Sequence, residues 1–381
     1  MGQTSKSVGY PMSKRTVGHV ALMLGASGLL ACGDARPRFG RGADTVFVGV
    51  AVSLSRPEPD IHDGVQLAFD ELNAKRPART PALALRRASP SADSPVKVAV
   101  AFRDDPQVIA VIGHTESDAT IAAAPVYADR EHDGRNPIVA VTSATALAVT
   151  QVSPWIYRIN ANVAEQGRTL ARFLADSLHL TRTGILYRND AMGKGFVRAF
   201  TKEFGSKGGT VIEHDPFTEQ INDFDAYARR LVMRNAPSVV MSGNSPQIRS
   251  MMHALRDAKG SVQVLATNGP AASDTGDFSG LRYVKLFSAE HPVSEVGARF
   301  ASAFKARTGH VPSHWGALGY DSAMMIGLAV QEKGSDRKSI REWFASVGNG
   351  RAPFVGATGA ISFDANRDPV NKTVLVAQVE P

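Results

Sequence analysis

Cysteine is almost absent from this chain: among 381 residues only Cys32 carries a thiol. No disulfide can therefore close within the chain, and no multi-cysteine metal site can form. Long apolar runs are missing as well. Beyond the first 31 residues no stretch reaches the roughly 18 apolar residues that a membrane-spanning helix requires. Signatures of chemistry are also lacking. No G-x-G-x-x-G follows the first strand-like segment, and there is neither a Walker loop nor a G-x-S-x-G elbow. Gly193-Lys194-Gly195 is a fragment that reads as a turn. His310 and His314 are spaced i, i+4, but Pro312 between them argues for a loop and no third ligand accompanies them, so no metal is expected. Asp104-Asp105 stands before Pro106 and reads as a solvated helix end. No catalytic triad stands out, so neither an enzyme nor a cofactor is expected. Strong charge is the last absence. The net charge is +7, and Lys6, Lys14 and Arg15 lie in residues 1–31, which hold no acid. The remainder has 40 of the 43 basic residues against 36 acidic ones, too mild and too scattered for nucleic acid.

What the chain does have is size and a 43% hydrophobic content, enough for a large core and, by length, two domains. Its start reads as a targeting segment. Lys14-Arg15 forms a basic region, and residues 17–30 form a short apolar run rich in Gly and Ala. Leu29-Leu30-Ala31-Cys32 resembles the bacterial lipobox, in which the cysteine receives a diacylglycerol and the preceding peptide is removed. Residues 1–31 are thus expected to be a lipoprotein signal peptide. Residues 1–11 add nothing to the signal, so the start is either Met1 or Met12. Residues 32–43 are too poor in apolar side chains to pack and read as a lipid-anchored tether.

From residue 45 onward strands alternate with helices. Strands are predicted at 45–52, 82–88, 108–113, 137–141 and 155–159, then at 184–187, 210–213, 238–242, 262–266 and 284–288, and in the tail at 360–363 and 373–379. Helices are predicted between them, with Asp60 and Asn162 as caps, and three more at 294–308, 316–333 and 336–346. This alternation means parallel sheets in an α/β protein, where ligands bind beyond the carboxyl ends of strands. Ser117, Ser143, Thr145, Asn189, Asn244 and Asn268 stand at such ends. The stretch 108–120 (VIAVIGHTESDAT) is the centre of the pattern: a buried strand, a glycine, a small polar loop and a helix start. Ser117 either caps that helix or joins its free N–H groups on an anionic ligand. Small hydroxyls and amides at strand ends equip a binding cleft.

Several motifs, in order, resemble periplasmic binding proteins of the leucine/isoleucine/valine-binding type. They are Ile112-Gly113…Ser117, Ser143-Ala144-Thr145, GVQLAFDELN at 64–73, WIYR at 155–158, NDAMGKG at 189–195, Asn222-Asp223-Phe224, GYDSA at 319–323 and TGAISFD at 358–364. The resemblance covers roughly residues 44–381. It implies a two-lobed fold, each lobe a mostly parallel sheet flanked by helices, joined by three hinge crossovers near Arg158, Ser288 and Phe354. Residues 44–158 plus 289–354 would form the N-terminal lobe, and 159–288 plus 355–381 the C-terminal lobe. Ligand is held between lobes that close on it.

In amino-acid binders of this type, the positions of Ser117, Ser143 and Thr145 hold the ligand's carboxylate and ammonium. The chain departs from the pattern in four places. The first loop is Leu54-Ser55-Arg56-Pro57, Met192 replaces a tyrosine, and Asn244 and Asn268 stand nearest the usual aromatic and acid. Loss of that acid removes a charge partner for an ammonium; Glu116 either supplies the charge or faces solvent. Tyr320 borders the cleft or packs, and Arg158 forms a surface or hinge ion pair or reaches the cleft. The implied function is a monomeric, lipid-anchored solute-binding protein on the periplasmic or extracellular face of a membrane. It would hand a small polar solute, an amino acid or amide-like compound, to an ABC permease. A ligand sensor, or an envelope lipoprotein with a protein partner and a vestigial cleft, are the alternatives.

Overall fold

The computed structural model describes residues 45–52, 59–89, 92–130, 137–267, 269 and 276–380. Cys32, the tether, the loop at 54–57 and Asn268 lie outside the described residues.

The first lobe begins with β1 (Thr45–Ala51), α1 (Pro59–Ala74), β2 (Ala82–Arg87), α2 (Pro95–Asp104), β3 (Val108–Gly113), α3 (Ser117–Ala128), β4 (Val139–Thr142), α4 (Ala148–Gln151) and β5 (Ile156–Arg158). The strands form one parallel sheet in the order β2-β1-β3-β4-β5. β3 and β4 are buried along their whole length because helices cover both faces, which is why they read as continuous apolar runs rather than as alternation.

The second sheet is built from α5 (Val163–Arg172), β6 (Arg182–Arg188), α6 (Ala191–Ser206), β7 (Thr210–Phe217), α7 (Asp225–Met233), β8 (Ser238–Ser242), α8 (Ser245–Asp257), β9 (Gln263–Ala266) and β10 (Arg282–Lys285). The chain continues through α9 (Glu295–Thr308), α10 (His314–Lys333), α11 (Arg337–Ser346), the hairpin β11 (Phe354–Gly356) and β12 (Gly359–Ile361), and finally β13 (Leu375–Gln378). The second sheet runs β13-β10-β9-β8-β6-β7, parallel except for β13 against β10. β7 is longer than predicted and carries Pro216, which an edge strand tolerates because one row of its N–H groups is unpaired. β10 starts and ends earlier than predicted, since its register is set by β13, more than 80 residues downstream.

Helix starts follow local chemistry. Ser94, Asn162, Asp190, Asn244, Ser294 and Asp336 all cap with their side chains. Asp60 does not cap its own helix. It lies inside the first turn of α1, and its carboxylate accepts the Ser313 N–H at 2.8 Å, at the start of α10. The helix after Asn162 is α-helical to Arg172 and continues as a π-turn at Phe173–Ser177.

Each lobe is a three-layer sandwich. One face of the first sheet packs against α1, α10 and α11 through residues such as Val48, Val65, Phe69, Ile326 and Phe344; the other packs against α2 and α3 through Phe102, Ala123 and Tyr127. The second sheet packs Phe196, Phe200 and Phe204 on one face and Phe217, Phe224 and Met251 on the other. Helices α9–α11 thus return to the first lobe. So does the hairpin, because Ala357, Ile361 and Phe363 lie in the same core. The third crossover, expected near Phe354, therefore falls after Phe363, and Val374 and Val376 are the first tail residues to pack on the second lobe's core.

Candidate ligand-binding site

The site grows from the carboxyl ends of β3 and β4. β3 ends at Gly113, whose φ of 125° is open to glycine, and a Cβ there would collide with the Ala51 carbonyl on β1. The chain can therefore turn sharply at the end of the sheet. His114 follows and is buried. Its Nε2 lies 3.0 Å from the Tyr127 hydroxyl, and burial pushes its pKa down to about 4, so it is neutral near pH 7. Its carbonyl accepts hydrogen bonds from Thr142 Oγ1 (2.6 Å) and Thr120 Oγ1 (3.1 Å). These two buried threonines bind the loop after β3 to the end of β4 and to α3; a hydroxyl three residues into a helix and another at a strand's end are their only trace in the sequence.

Ser117 opens α3. Its Oγ caps nothing in its own helix and instead accepts the Ala146 N–H at 3.1 Å, so it joins the loop after β4 to the start of α3. In that loop Ser143 is buried and its carbonyl accepts the Asn160 amide at 2.8 Å, while the Thr145 carbonyl accepts the Val163 N–H at 2.8 Å. The loop bearing Ser143 and Thr145 is thus held to residues 160–163 through their carbonyls and to the start of α3 through Ser117. Glu116, next to Ser117 in the chain, is half-buried. A small, mostly apolar pocket of about 10 Å³ lies at the ends of β3 and β4, lined among others by Ile61, Ile112, Thr115, Ser143, Trp315 and Ser322 but not by Ser117 or Thr145. Trp315 and Ser322 come from α10. Ser322 Oγ donates to the Leu318 carbonyl at 2.8 Å within its own helix, so Thr115, Ser143 and Trp315 are the other lining residues with polar side-chain atoms.

The other predicted positions separate. Tyr320 does not reach this pocket. Its hydroxyl donates to Glu71 at 2.8 Å and its ring lies 4.8 Å from Phe300, so it faces a groove beside α1, α9 and α11. Asn244 is on the second lobe, where its side-chain oxygen accepts the Gln247 N–H (3.0 Å) and its own N–H donates to Gln247 Oε1 (3.1 Å), a complete capping box. Asn189 is exposed beside Asp190, which caps α6 and pairs with Arg188. His310 is exposed and His314 is half-buried, its pKa pushed down to about 4 by desolvation. Among the described residues no three metal-binding side chains cluster. Arg158 is neither on the surface nor in the pocket. It is fully buried in an ion pair with Asp368.

A family model described as periplasmic binding protein matches residues 46–381. An amino acid binding protein of Pseudomonas aeruginosa is 23% identical over 74% of this chain and 76% of its own length. Two solved structures share the fold. An ABC transporter substrate-binding protein of Desulfitobacterium hafniense in complex with Leu superposes with a TM-score of 0.75 over 88% of this chain and 98% of that one, at 22% identity. A solute binding protein of Rhodopseudomonas palustris in complex with 3,4-dihydroxy benzoic acid gives 0.72 over 88% and 93%, at 19% identity. The chain thus has the two-lobed fold of these substrate-binding proteins. The chain belongs to the periplasmic binding protein family, and its relatives include proteins of the Leu/Ile/Val-binding type.

Proposed function

We propose that this chain is an extracytoplasmic solute-binding lipoprotein, anchored through Cys32, that captures a small polar solute and delivers it to an ABC-type permease. The observation that carries the reading is the junction of Ser117 with the 143–146 loop at the ends of β3 and β4, where a pocket is lined by Thr115 and Ser143. Hydroxyls and the opening turn of α3 suit a carboxylate, and Trp315 suits an apolar or aromatic body. The solute is an amino acid or amide-like compound, in line with the relatives named for amino acids. Glu116, next to Ser117 in the chain and half-buried, would answer an ammonium. The solved structure holding 3,4-dihydroxy benzoic acid favours a second reading, an aromatic acid, because Trp315 lines the pocket.

Thermal unfolding of residues 33–381 against amino acids, amides, urea-like compounds and benzoates tests this. A solute at 100 times its dissociation constant adds about 2.7 kcal/mol to the folded state. At about 2–4 °C per kcal/mol that is a shift of several degrees. The class that shifts the midpoint names the solute, and Ser117→Ala and Thr145→Ala should weaken its binding by about tenfold or more, the loss of one hydrogen bond to a charged group. Unchanged affinity in both variants overturns the placement of the site. A well-folded protein with no shift across the panel overturns the receptor reading in favour of an envelope lipoprotein with a protein partner.

A further inference from the structure

A buried cluster outside the pocket ties the ligand-bearing loop to two of the segments that cross between the sheets. Arg158 ends β5, where the chain first leaves the first sheet. Asp368 lies between β12 and β13, where the chain crosses for the last time. The Arg158 guanidinium donates from Nε and Nη2 to Asp368 Oδ1 at 2.8 and 2.7 Å. Its Nη1 donates to the carbonyls of Ala144 (3.0 Å) and Ala146 (2.7 Å), which flank Thr145. Thr150 Oγ1 donates to Asp368 Oδ1 at 2.9 Å and accepts from Arg158 Nη2 at 3.3 Å. Asn162, the cap of α5 at the first crossover, donates to Asp368 Oδ2 at 3.1 Å. The backbone closes the cluster: the Arg158 N–H donates to the Arg367 carbonyl at 3.1 Å, and the Arg367 guanidinium donates to the Thr150 carbonyl.

A fully buried guanidinium with one carboxylate partner cannot lose that partner cheaply, because an uncompensated charge would remain in the interior. The planar fork also matters. It reaches a carboxylate on one side and two carbonyls on the other at once, which a lysine ammonium cannot do. The contacts of Asp368 with Arg158, Thr150 and Asn162 bridge segments more than 200 residues apart, and those made by Ala144, Ala146 and Thr150 bring the loop that carries Ser143 and Thr145 into the cluster.

We propose that Arg158 and Asp368 form a hinge clasp, a positioning pair that makes the 143–150 loop and the first and third crossovers order and loosen as one unit. A solute gripping the loop would then act directly on the crossovers about which the lobes move. The solute part of this statement rests on the proposed function; the coupling itself exists without ligand.

Hydrogen exchange read by mass spectrometry on the ligand-free, full chain tests the coupling. Asp368→Asn should accelerate exchange by about tenfold or more at 143–150, 156–162 and 364–372 together, with β3 and β8 unchanged, as expected for a local cooperative unit. Thr150→Val, which keeps both charges, should do the same to a smaller extent, and Thr150→Ser should restore wild-type protection. Should Asp368→Asn not fold, the Thr150 pair carries the same test. Three results would overturn the clasp: loosening confined to 364–372, acceleration spread evenly over the chain, or no change at 143–150. Because no solute enters the experiment, failure of the receptor reading leaves its outcome readable.

Discussion

His114 shows how one residue's environment writes itself into the behaviour of the protein. Burial lowers its pKa to about 4, and the same cause places His62 and His314 at about 4. In the unfolded chain each titrates near 6.5. Between those values the unfolded state binds protons that the folded state refuses, so stability falls as the pH drops from about 6.5 to about 4. Each such histidine contributes a slope of up to about 1.4 kcal/mol per pH unit. A His114→Asn variant should therefore show a shallower loss of stability on acidification than the parent, whatever its stability at pH 7. Urea unfolding at pH 7, 6 and 5 measures the two slopes, and parallel slopes would mean that His114 titrates alike in the folded and unfolded chains.

The crossing of α1 over α10 decides how the first lobe closes around its pocket. Gly64 meets the Gly316 carbonyl, and Gly319 meets the backbone of Ile61, so the two helices touch along their main chains. That approach brings Ile61 and Trp315 to the same pocket. A side chain at Gly64 has no room that a rotamer change can supply, because the obstructing atom is backbone. Gly64→Ala should lower stability by about 1–3 kcal/mol, the usual cost of overpacking, seen as a lower urea midpoint. It should also weaken solute binding, since α10 must move away from the pocket. An unchanged midpoint would mean that the helices separate without cost.

At the scale of the molecule the buried cores divide between the lobes, and only half-buried side chains such as Met192 and Leu147 pack across. The first lobe buries its own clusters on both faces of one sheet, and the second buries its own around the other. Two cores of this kind are expected to melt independently unless something couples them. Scanning calorimetry of the ligand-free protein should give two overlapping transitions. A bound solute that touches both lobes should merge them into one at higher temperature. A single sharp transition without ligand would show that the crossovers alone make the lobes cooperative.

Much of this architecture is legible in the sequence alone. Fully apolar strands announce buried parallel sheets, and Asn162 and Ser294 announce helix starts, because strand burial and capping depend on residues within a few positions. The Ile112-Gly113…Ser117 and Ser143-Ala144-Thr145 motifs bring the two loops to notice for the same reason. What stays illegible depends on partners far along the chain. Asp60 serves a helix that begins 253 residues later. Tyr320 turns to Glu71, 249 residues earlier, rather than toward the pocket. Arg158 meets Asp368 across 210 residues, and the hairpin at 354–361 stays with a lobe whose first strand lies some 300 residues upstream. The periodicity and end signals of each element act locally, so they alone determined the α/β class, the order of the elements and the loops to watch. Which side chains meet across the fold is set by packing between distant segments. Only the tertiary structure could therefore decide which hydroxyls share a pocket and which charges hold the hinge.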